Sequence, residues 1–369
     1  MIRRRRRTRR IYVGSVPIGD GAPVAVQSMT KVHPRHIAIT LRQIEEAAKA
    51  GCEIMRVAVP DDEAVQYLQE IRERSPLPLV ADLHFNPRLA LMVVEKGIEA
   101  IRVNPGTIRS RKRLKEIFEA AKEKGVTVRV GINAGSLPRP YEERFGRTPE
   151  AMVACALDAV ELAEEVGHRE LKVSLKASDV PRTVEAYRLF SRRSDYPLHL
   201  GVTEAGPPFS GGIKSAVGLG VLLAEGIGDT IRVSLTGDPV VEVRAAYHIL
   251  RALGLRERGV DIISCPTCGR CEVDLEPMVL ELERRLAHID RPLTVAVMGC
   301  VVNGPGEAKE ADVGIAGGKS SGVLFIKGRV VEKIPPEKWI ERLVEEVERL
   351  VAEPPLSGNG GCTGPAEEP

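Results

Sequence analysis

From residue 24 to 236 the chain repeats one pattern: a short β-branched run, a polar or glycine-bearing corner, then a segment whose apolar positions recur with the helical period. Eight runs carry it: VAVQSM from Val24, IMRVAV from Ile54, LVADLHF from Leu79, AIRVNPG from Ala100, TVRVGINAG from Thr127, LKVSLKA from Leu171, LHLGVTEA from Leu198 and TIRVSLT from Thr230. Between them TLRQIEEAAKAG, PRLALMVVEKG, SRKRLKEIFEAAKEKG and PEAMVACALDAVELAEEVG read as helices. Several end in glycine, which takes the left-handed conformation that closes a helix. The spacing is that of one βα unit, apart from one longer interval holding GSLPRPYEERFGRTP. Eight such units predict an α/β fold, a (β/α)8 TIM barrel, rather than an open doubly wound sheet. No GxGxxG follows the first strand and no Walker A loop is present.

After PVVEVRAAYHILRALGL the pattern changes near Arg258. Strand DIIS, helix EPMVLELERRLAHI, strands LTVAVMG and DVGIAG, the hairpin-like VLFIKGRVVEKI and the helix PEKWIERLVEEVERLVAE predict a small α+β domain. The expected division is a basic tail at 1–10, the barrel at 11–257, the second domain at 258–352 and a disordered tail at 353–369. That last stretch holds Cys362 and is too rich in glycine and proline to fold.

Composition supports this outline. Hydrophobic residues make up 43% of the 369 and aromatics only 4%, which suits parallel strands under amphipathic helices and disfavours an all-β or base-stacking module. The formal net charge of +2 becomes −5 once the seven arginines of MIRRRRRTRR are set aside. That run has the composition of a nucleic-acid or membrane patch, but a solvated, frayed terminus is the expectation. No apolar signal segment follows it and no window of about 18 apolar residues occurs, so neither export nor a membrane span is expected. Seven cysteines, an odd number, predict a reduced, cytoplasmic chain that uses thiols for metal rather than disulfides. Cys52 and Cys155 stand alone and read as small buried hydrophobes.

Barrel chemistry sits at the carboxyl ends of the strands. Those positions hold Arg56, Asp82 and His84, Arg102 and Asn104, Arg129 and Asn133, Lys172 and Lys176, Glu204, and Arg232 with Ser234. Cations on five different strands converge on a mouth with few carboxylates, which suits a polyanion and phosphate in particular. The glycine-rich GPPFSGGIKSAVGLG offers backbone amides to the same site. His84 reads equally as a general acid or a satisfied polar residue. Glu204 reads as an acid able to protonate a leaving hydroxyl, or as an ion-pair partner of a nearby arginine.

Metal-ligand spacing appears in SCPTCGRCEVDL, where Cys265, Cys268 and Cys271 are two residues apart, and in LTVAVMGC, which ends on Cys300. A structural zinc site and an iron–sulfur cluster are both open readings. The fourth ligand is open too: Cys271 would complete four thiolates, whereas Glu307 in the loop after Cys300 would supply an exchangeable oxygen.

The motifs VADLHF, RVNPG, GINAGSL, VSLKASDV, GVTEAG, EGIGDTIRVSL, CPTCGR and GCVVNGPGEA, in order along the chain, resemble those of the bacterial 4-hydroxy-3-methylbut-2-enyl diphosphate synthases of the non-mevalonate isoprenoid pathway. The resemblance implies the two-domain form and an oxidoreductase with a [4Fe–4S] cluster. Such an enzyme opens 2-C-methyl-D-erythritol 2,4-cyclodiphosphate and eliminates water with two electrons from flavodoxin or ferredoxin. It implies cluster ligands Cys265, Cys268, Cys300 and Glu307, with Cys271 a third close thiol that the motif does not need. It places diphosphate on Arg56, Arg102, Arg129 and Lys176, and Asp82, His84, Asn104, Asn133, Glu204, Arg232, Ser234 and Asn303 around the reacting end. It also implies a head-to-tail homodimer in which one chain's cluster domain closes the other's barrel, without nucleic acid or membrane. The competing reading is an anion-binding barrel carrying a structural zinc or a purely electron-transferring cluster.

Overall fold

In a computed structural model the described residues are 3–302 and 304–353. The chain divides into two compact units, Met1–Glu257 and Arg258–Pro369. The first opens with a hairpin, β1 (Ile11–Val13) and β2 (Val16–Ile18). Eight strands follow: β3 (Ala25–Met29), β4 (Ile54–Val59), β5 (Leu79–Leu83), β6 (Ala100–Val103), β7 (Thr127–Asn133), β8 (Leu171–Lys176), β9 (His199–Leu200) and β10 (Thr230–Ile231). They pair in parallel in the order β8-β7-β6-β5-β4-β3-β10-β9, and the bridge Val173–Leu198 joins the two ends. The ring is the expected (β/α)8 barrel.

Between the strands run α1 (Ile37–Lys49), α2 (Asp62–Arg74), α3 (Pro87–Glu95), α4 (Arg111–Lys124), α5 (Arg139–Phe145), α6 (Pro149–Glu165), α7 (Val180–Ser191), α8 (Pro208–Ala224) and α9 (Pro239–Ala252). The longer interval contains the short α5. Local chemistry sets the helix ends: Asp61 accepts from the Ala64 amide at 2.8 Å to start α2, and Gly125, at φ +66°, closes α4.

Strand parity sorts the barrel into two environments. Val57, Leu83, Ile101, Val130 and Leu175 face outward and join helical Leu68, Val93, Ile117 and Phe118 in one continuous core, which also takes in Cys52 and Cys155 as small apolar side chains. The alternate residues face the interior. At the amino end of the ring, Ala25, Ile54, Val80 and Ala100 pack against Ile11, Val13 and Ile18 of the hairpin, which plugs the barrel floor.

The arginine-rich start departs from the expected frayed tail: residues 3–10 are docked on the barrel. Arg3 and Arg6 donate backbone amides to Ala224 and Gly226 at the end of α8, and Arg9 donates to Asp195. The Arg6 guanidinium takes the Ser191, Ser194 and Tyr196 carbonyls just past α7. Arg5 pairs with the buried Asp229 at 2.9 Å and bonds the Gly228 carbonyl at 3.1 Å. The cause is a set of carbonyls left unsatisfied at helix ends, together with one buried carboxylate. The expected tail at 353–369, with Cys362, lies outside the described residues except for Glu353. Among the described residues no helix is long and apolar enough to cross a membrane.

In the second unit β11 (Val260–Ser264), β12 (Leu293–Met298) and β13 (Val313–Gly317) are parallel, and β14 (Gly322–Ile326) and β15 (Arg329–Ile334) continue the sheet antiparallel. Helices α10 (Leu275–Leu286) and α12 (Trp339–Ala352) supply Leu282, Leu286, Leu343 and Val347 to one face. Trp339 is fully buried there, its indole lying where a Cβ on Gly322 would stand. The other face packs on α11 (Gly304–Glu310), which occupies what the sequence suggested was a loop. Small residues explain it: Gly304 sits against Met298 and Ala316, and Ala308 is fully buried.

Replacing Arg5 by Ala is expected to destabilise the barrel by about 2 kcal/mol, because it leaves the Asp229 carboxylate buried with only hydrogen-bond partners. Denaturant unfolding checks this. Unchanged stability would mean that the docked start contributes nothing.

Candidate active site

Neighbouring strands align the interior cations. Asp82 is paired in register with Arg102, Arg102 with Arg129, and Arg129 with Lys172. All four are nearly sealed from solvent, from 0% exposure at Lys172 to 7% at Asp82. Arg102 donates to Asp82 at 3.3 Å, to the Gly131 carbonyl at 3.2 Å and to Asn133 at 3.3 Å. It also meets His84 Nε2 at 2.6 Å. A guanidinium only donates, so that nitrogen accepts and the neutral imidazole carries its proton on Nδ1. Arg56 stands 3.8 Å from Asp82 and otherwise directs its donors at the Met29 sulfur, a weak acceptor.

Six interior cations, Arg56, Arg102, Arg129, Lys172, Lys176 and Arg232, face two carboxylates. One is Asp82. The other is Glu242 of α9, held by Arg232 at 3.1 Å and Lys31 at 2.6 Å. Burial and then the neighbouring guanidiniums push Arg129 and Lys176 well below their usual ranges, and burial moves Arg56 down to about 10. Burial would raise the Asp82 carboxyl, but the guanidiniums of Arg56, Arg102 and Arg129 hold it well below the usual carboxylate range. Arg129 Nε, Lys172 Nζ, His199 Nε2 and both amide atoms of Gln27 are buried without a partner. Buried polar atoms left without a protein partner call for a ligand or water.

Above this layer, at the carboxyl ends of the strands, lies a cavity of about 740 Å³. Of the expected residues, Asp82, His84, Asn104, Asn133 and Glu204 line it. Arg56, Arg102, Arg129, Lys176 and Arg232 lie in the barrel interior, and Ser234 is half-buried three residues past β10. Asn104 is fixed by donating to Ser136 at 2.9 Å and accepting from the Gly106 amide at 2.9 Å. Glu204 is exposed and has no ion pair among the described residues, so it is not the arginine partner that its surroundings suggested. It sits at φ +52°, and Phe85, 76% exposed on the same rim, at φ +57°. Non-glycine residues held in the left-handed region store strain and concentrate at functional loops. Asn303 lies outside the described residues. Sequence reasoning missed Gln27, His199 and Glu242; the first two are polar residues inside β-branched runs, the signal that exposed the arginines.

In the second unit Cys265 directly follows β11 and Cys300 lies just past β12, its parallel neighbour. Cys300 is buried, Cys265 and Cys271 are half-buried, Cys268 is exposed, and none of the four is in a disulfide among the described residues. Thr267, at φ +48°, turns the chain between Cys265 and Cys268. Cys271 stays beside the other two: its thiol interacts with those of Cys265 and Cys268, donates to the Val273 carbonyl at 3.3 Å and packs on Gly299, where a Cβ would come within 2.3 Å of the sulfur. Glu307 is exposed in the first turn of α11 rather than in a loop. Cysteine thiolates carried at the ends of adjacent strands, with a free carboxylate on the following helix, fit an iron–sulfur cluster.

Comparison with known proteins places these features. The family model described as the GcpE TIM-barrel domain matches residues 8–247, and that described as the GcpE protein C-terminal domain matches 261–349. A 4-hydroxy-3-methylbut-2-en-1-yl diphosphate synthase (flavodoxin) of Thermodesulfovibrio yellowstonii is 55% identical over 347 residues, covering 94% of this chain and 99% of that protein. Its namesake in Geobacter sulfurreducens is 56% identical over 348 residues, with coverage of 94% and 99%. Among solved structures, a dihydropteroate synthase of Xanthomonas albilineans covers 67% of this chain and 97% of its own at 15% identity, with a TM-score of 0.48. With both domain models matched in order and relatives more than half identical along nearly their whole length, the chain belongs to the GcpE family.

Proposed function

We propose that the chain is a flavodoxin-type 4-hydroxy-3-methylbut-2-enyl diphosphate synthase. It reduces 2-C-methyl-D-erythritol 2,4-cyclodiphosphate to the linear hydroxymethylbutenyl diphosphate for isoprenoid precursor synthesis. The observation that carries this reading is the excess of buried cations over carboxylates beneath an open barrel mouth. Two linked phosphates supply the missing negative charge there, and the low dielectric strengthens each contact.

Arg56, Arg102, Arg129 and Lys176 hold the diphosphate. Asp82 fixes Arg102 and Arg56 rather than touching phosphate, since a carboxylate this firmly ionised repels it. His84, neutral with its proton on Nδ1, offers a donor at the mouth. Glu204, free of protein partners, is placed to give a proton to the departing hydroxyl. Asn104, Asn133, Arg232, Ser234 and Asn303 surround the carbon skeleton. A ring C–O bond breaks and one hydroxyl leaves as water, with two electrons and two protons entering. When bound, a [4Fe–4S] cluster on Cys265, Cys268, Cys300 and Glu307 supplies electrons singly from flavodoxin or ferredoxin. Cys271 lies beside Cys265 and Cys268 but has its thiol on the Val273 carbonyl and against Gly299, and in this reading it is left off the ligand set.

The working unit in this proposal is a cytoplasmic, head-to-tail homodimer in which the cluster domain of one copy covers the barrel of the other. Apolar side chains left exposed support a second copy. Phe209, Ile213 and Val217 form a stripe along α8, exposed 84%, 52% and 53%. Val301 and Val302, next to Cys300, are similarly bare. A helix face this apolar is normally covered.

Anaerobically reconstituted protein is expected to consume the cyclodiphosphate with dithionite or reduced flavodoxin; an intact cluster without turnover would sink the assignment. Glu307→Ala should lose most activity, whereas Cys271→Ser should keep both its iron and sulfide content and its turnover, and the reverse pattern would make Cys271 the fourth ligand. In Gly131→Ala the new Cβ would stand 2.5 Å from Arg102 Nε, so the displaced guanidinium should lower kcat/KM about tenfold or more with the melting temperature little changed. Mixing Arg129→Ala with Cys300→Ser should restore activity through heterodimers. No recovery despite demonstrated subunit exchange counts against a shared site.

A further inference from the structure

The docked arginine segment leaves a second concave site on the outside of the barrel, a cavity of about 730 Å³ between residues 6–9, α6 and the end of α7. Five arginines line it, Arg6, Arg7, Arg9, Arg192 and Arg193, against the carboxylates of Glu161, Glu164 and Asp195. Arg9 consumes two of those: it donates to Asp195 at 2.8 Å and to Glu164 at 3.3 Å, and Tyr196 donates to the same Glu164 oxygen at 2.8 Å. Arg6 is held by neutral carbonyls, which orient its charge without cancelling it, and its Nε is buried without a partner. The side chains of Arg7, Arg192 and Arg193 make no hydrogen bond or ion pair among the described residues. The lining thus carries five guanidiniums against three carboxylates, a net of two positive charges, and Glu225 outside the cavity also faces Arg192.

We infer that this pocket binds a small diphosphate-bearing anion, at a site separate from the barrel interior. Its concavity and size are those of a small-molecule site rather than of a track for a polymer. Single-stranded nucleic acid needs exposed aromatic rings for its bases to stack on. The aromatic ring here, Tyr196, is 1% exposed and covered by Arg9, whose guanidinium carbon lies 4.1 Å from the ring centre. Convergent guanidiniums match phosphate oxygens through paired N–H donors. Arg6 is already locked by three carbonyls, so ligand binding need not order it.

The test is calorimetric titration of the full chain with inorganic pyrophosphate at low ionic strength. Two sites per chain are expected. The double variant Arg192→Ala/Arg193→Ala, and separately Arg7→Ala, should lose one of them or weaken it at least tenfold while turnover stays unchanged. The exposed positions of these side chains keep both variants folded. Arg102→Ala should lose the other site and retain this one. If wild-type protein shows one site and the double variant removes it, the pocket stands and the barrel's diphosphate assignment falls. Pyrophosphate binding that the Arg7 and Arg192/Arg193 variants leave untouched overturns the inference. So does tight binding of a single-stranded oligonucleotide that pyrophosphate fails to displace.

Discussion

Like charges sealed inside a barrel set the terms for everything else in the first unit. Arg56, Arg102, Arg129, Lys172, Lys176 and Arg232 lie within one ring of strands, and among the described residues Asp82 and Glu242 are the carboxylates that answer them. Such an interior raises its own electrostatic energy, and the surrounding structure must hold it rigid. The outward-facing aliphatic layer and the hairpin across the floor do this. The result is an interior with fixed donors and little reorganisation left when a polyanion enters.

Asp82 shows how one carboxylate organises several cations. It lies between Arg56 and Arg102, and Arg102 in turn reaches His84, Gly131 and Asn133. Glycine at 131 leaves room for the guanidinium, and Gly201 similarly leaves room for Lys176. Charge placement and backbone shape are therefore the same constraint in this site.

The barrel and most of its interior were legible because each strand is a β-branched run bounded by glycine or proline, and a cation inside such a run has no ordinary structural reason to be there. The hairpin at Ile11–Ile18 was not, because three-residue strands are too short to show alternation. The helix at Gly304–Glu310 was hidden by glycine and proline, whose small size lets it lie on β12 and β13. Glu204 needed coordinates, since nothing in GVTEAG says that its carboxylate is left without an arginine. The arginine run was legible as charge but not as structure. Its composition is that of a tail, while the carbonyls that hold Arg6 are 190 residues away.

That separation bears on how the chain reaches its fold. The last two barrel strands are two residues each, the ring meets itself at the bridge Val173–Leu198, and Arg5 reaches across 223 residues to Gly228 beside them. Residues 3–10 therefore find their partners only after the final βα unit has been made. Contacts of such length are slow to form, because loop-closure entropy is spent before they yield anything. Closure of the barrel is thus a late folding event, fastened by residues far back along the chain, and until then the open edges of β8 and β9 are exposed to mispairing.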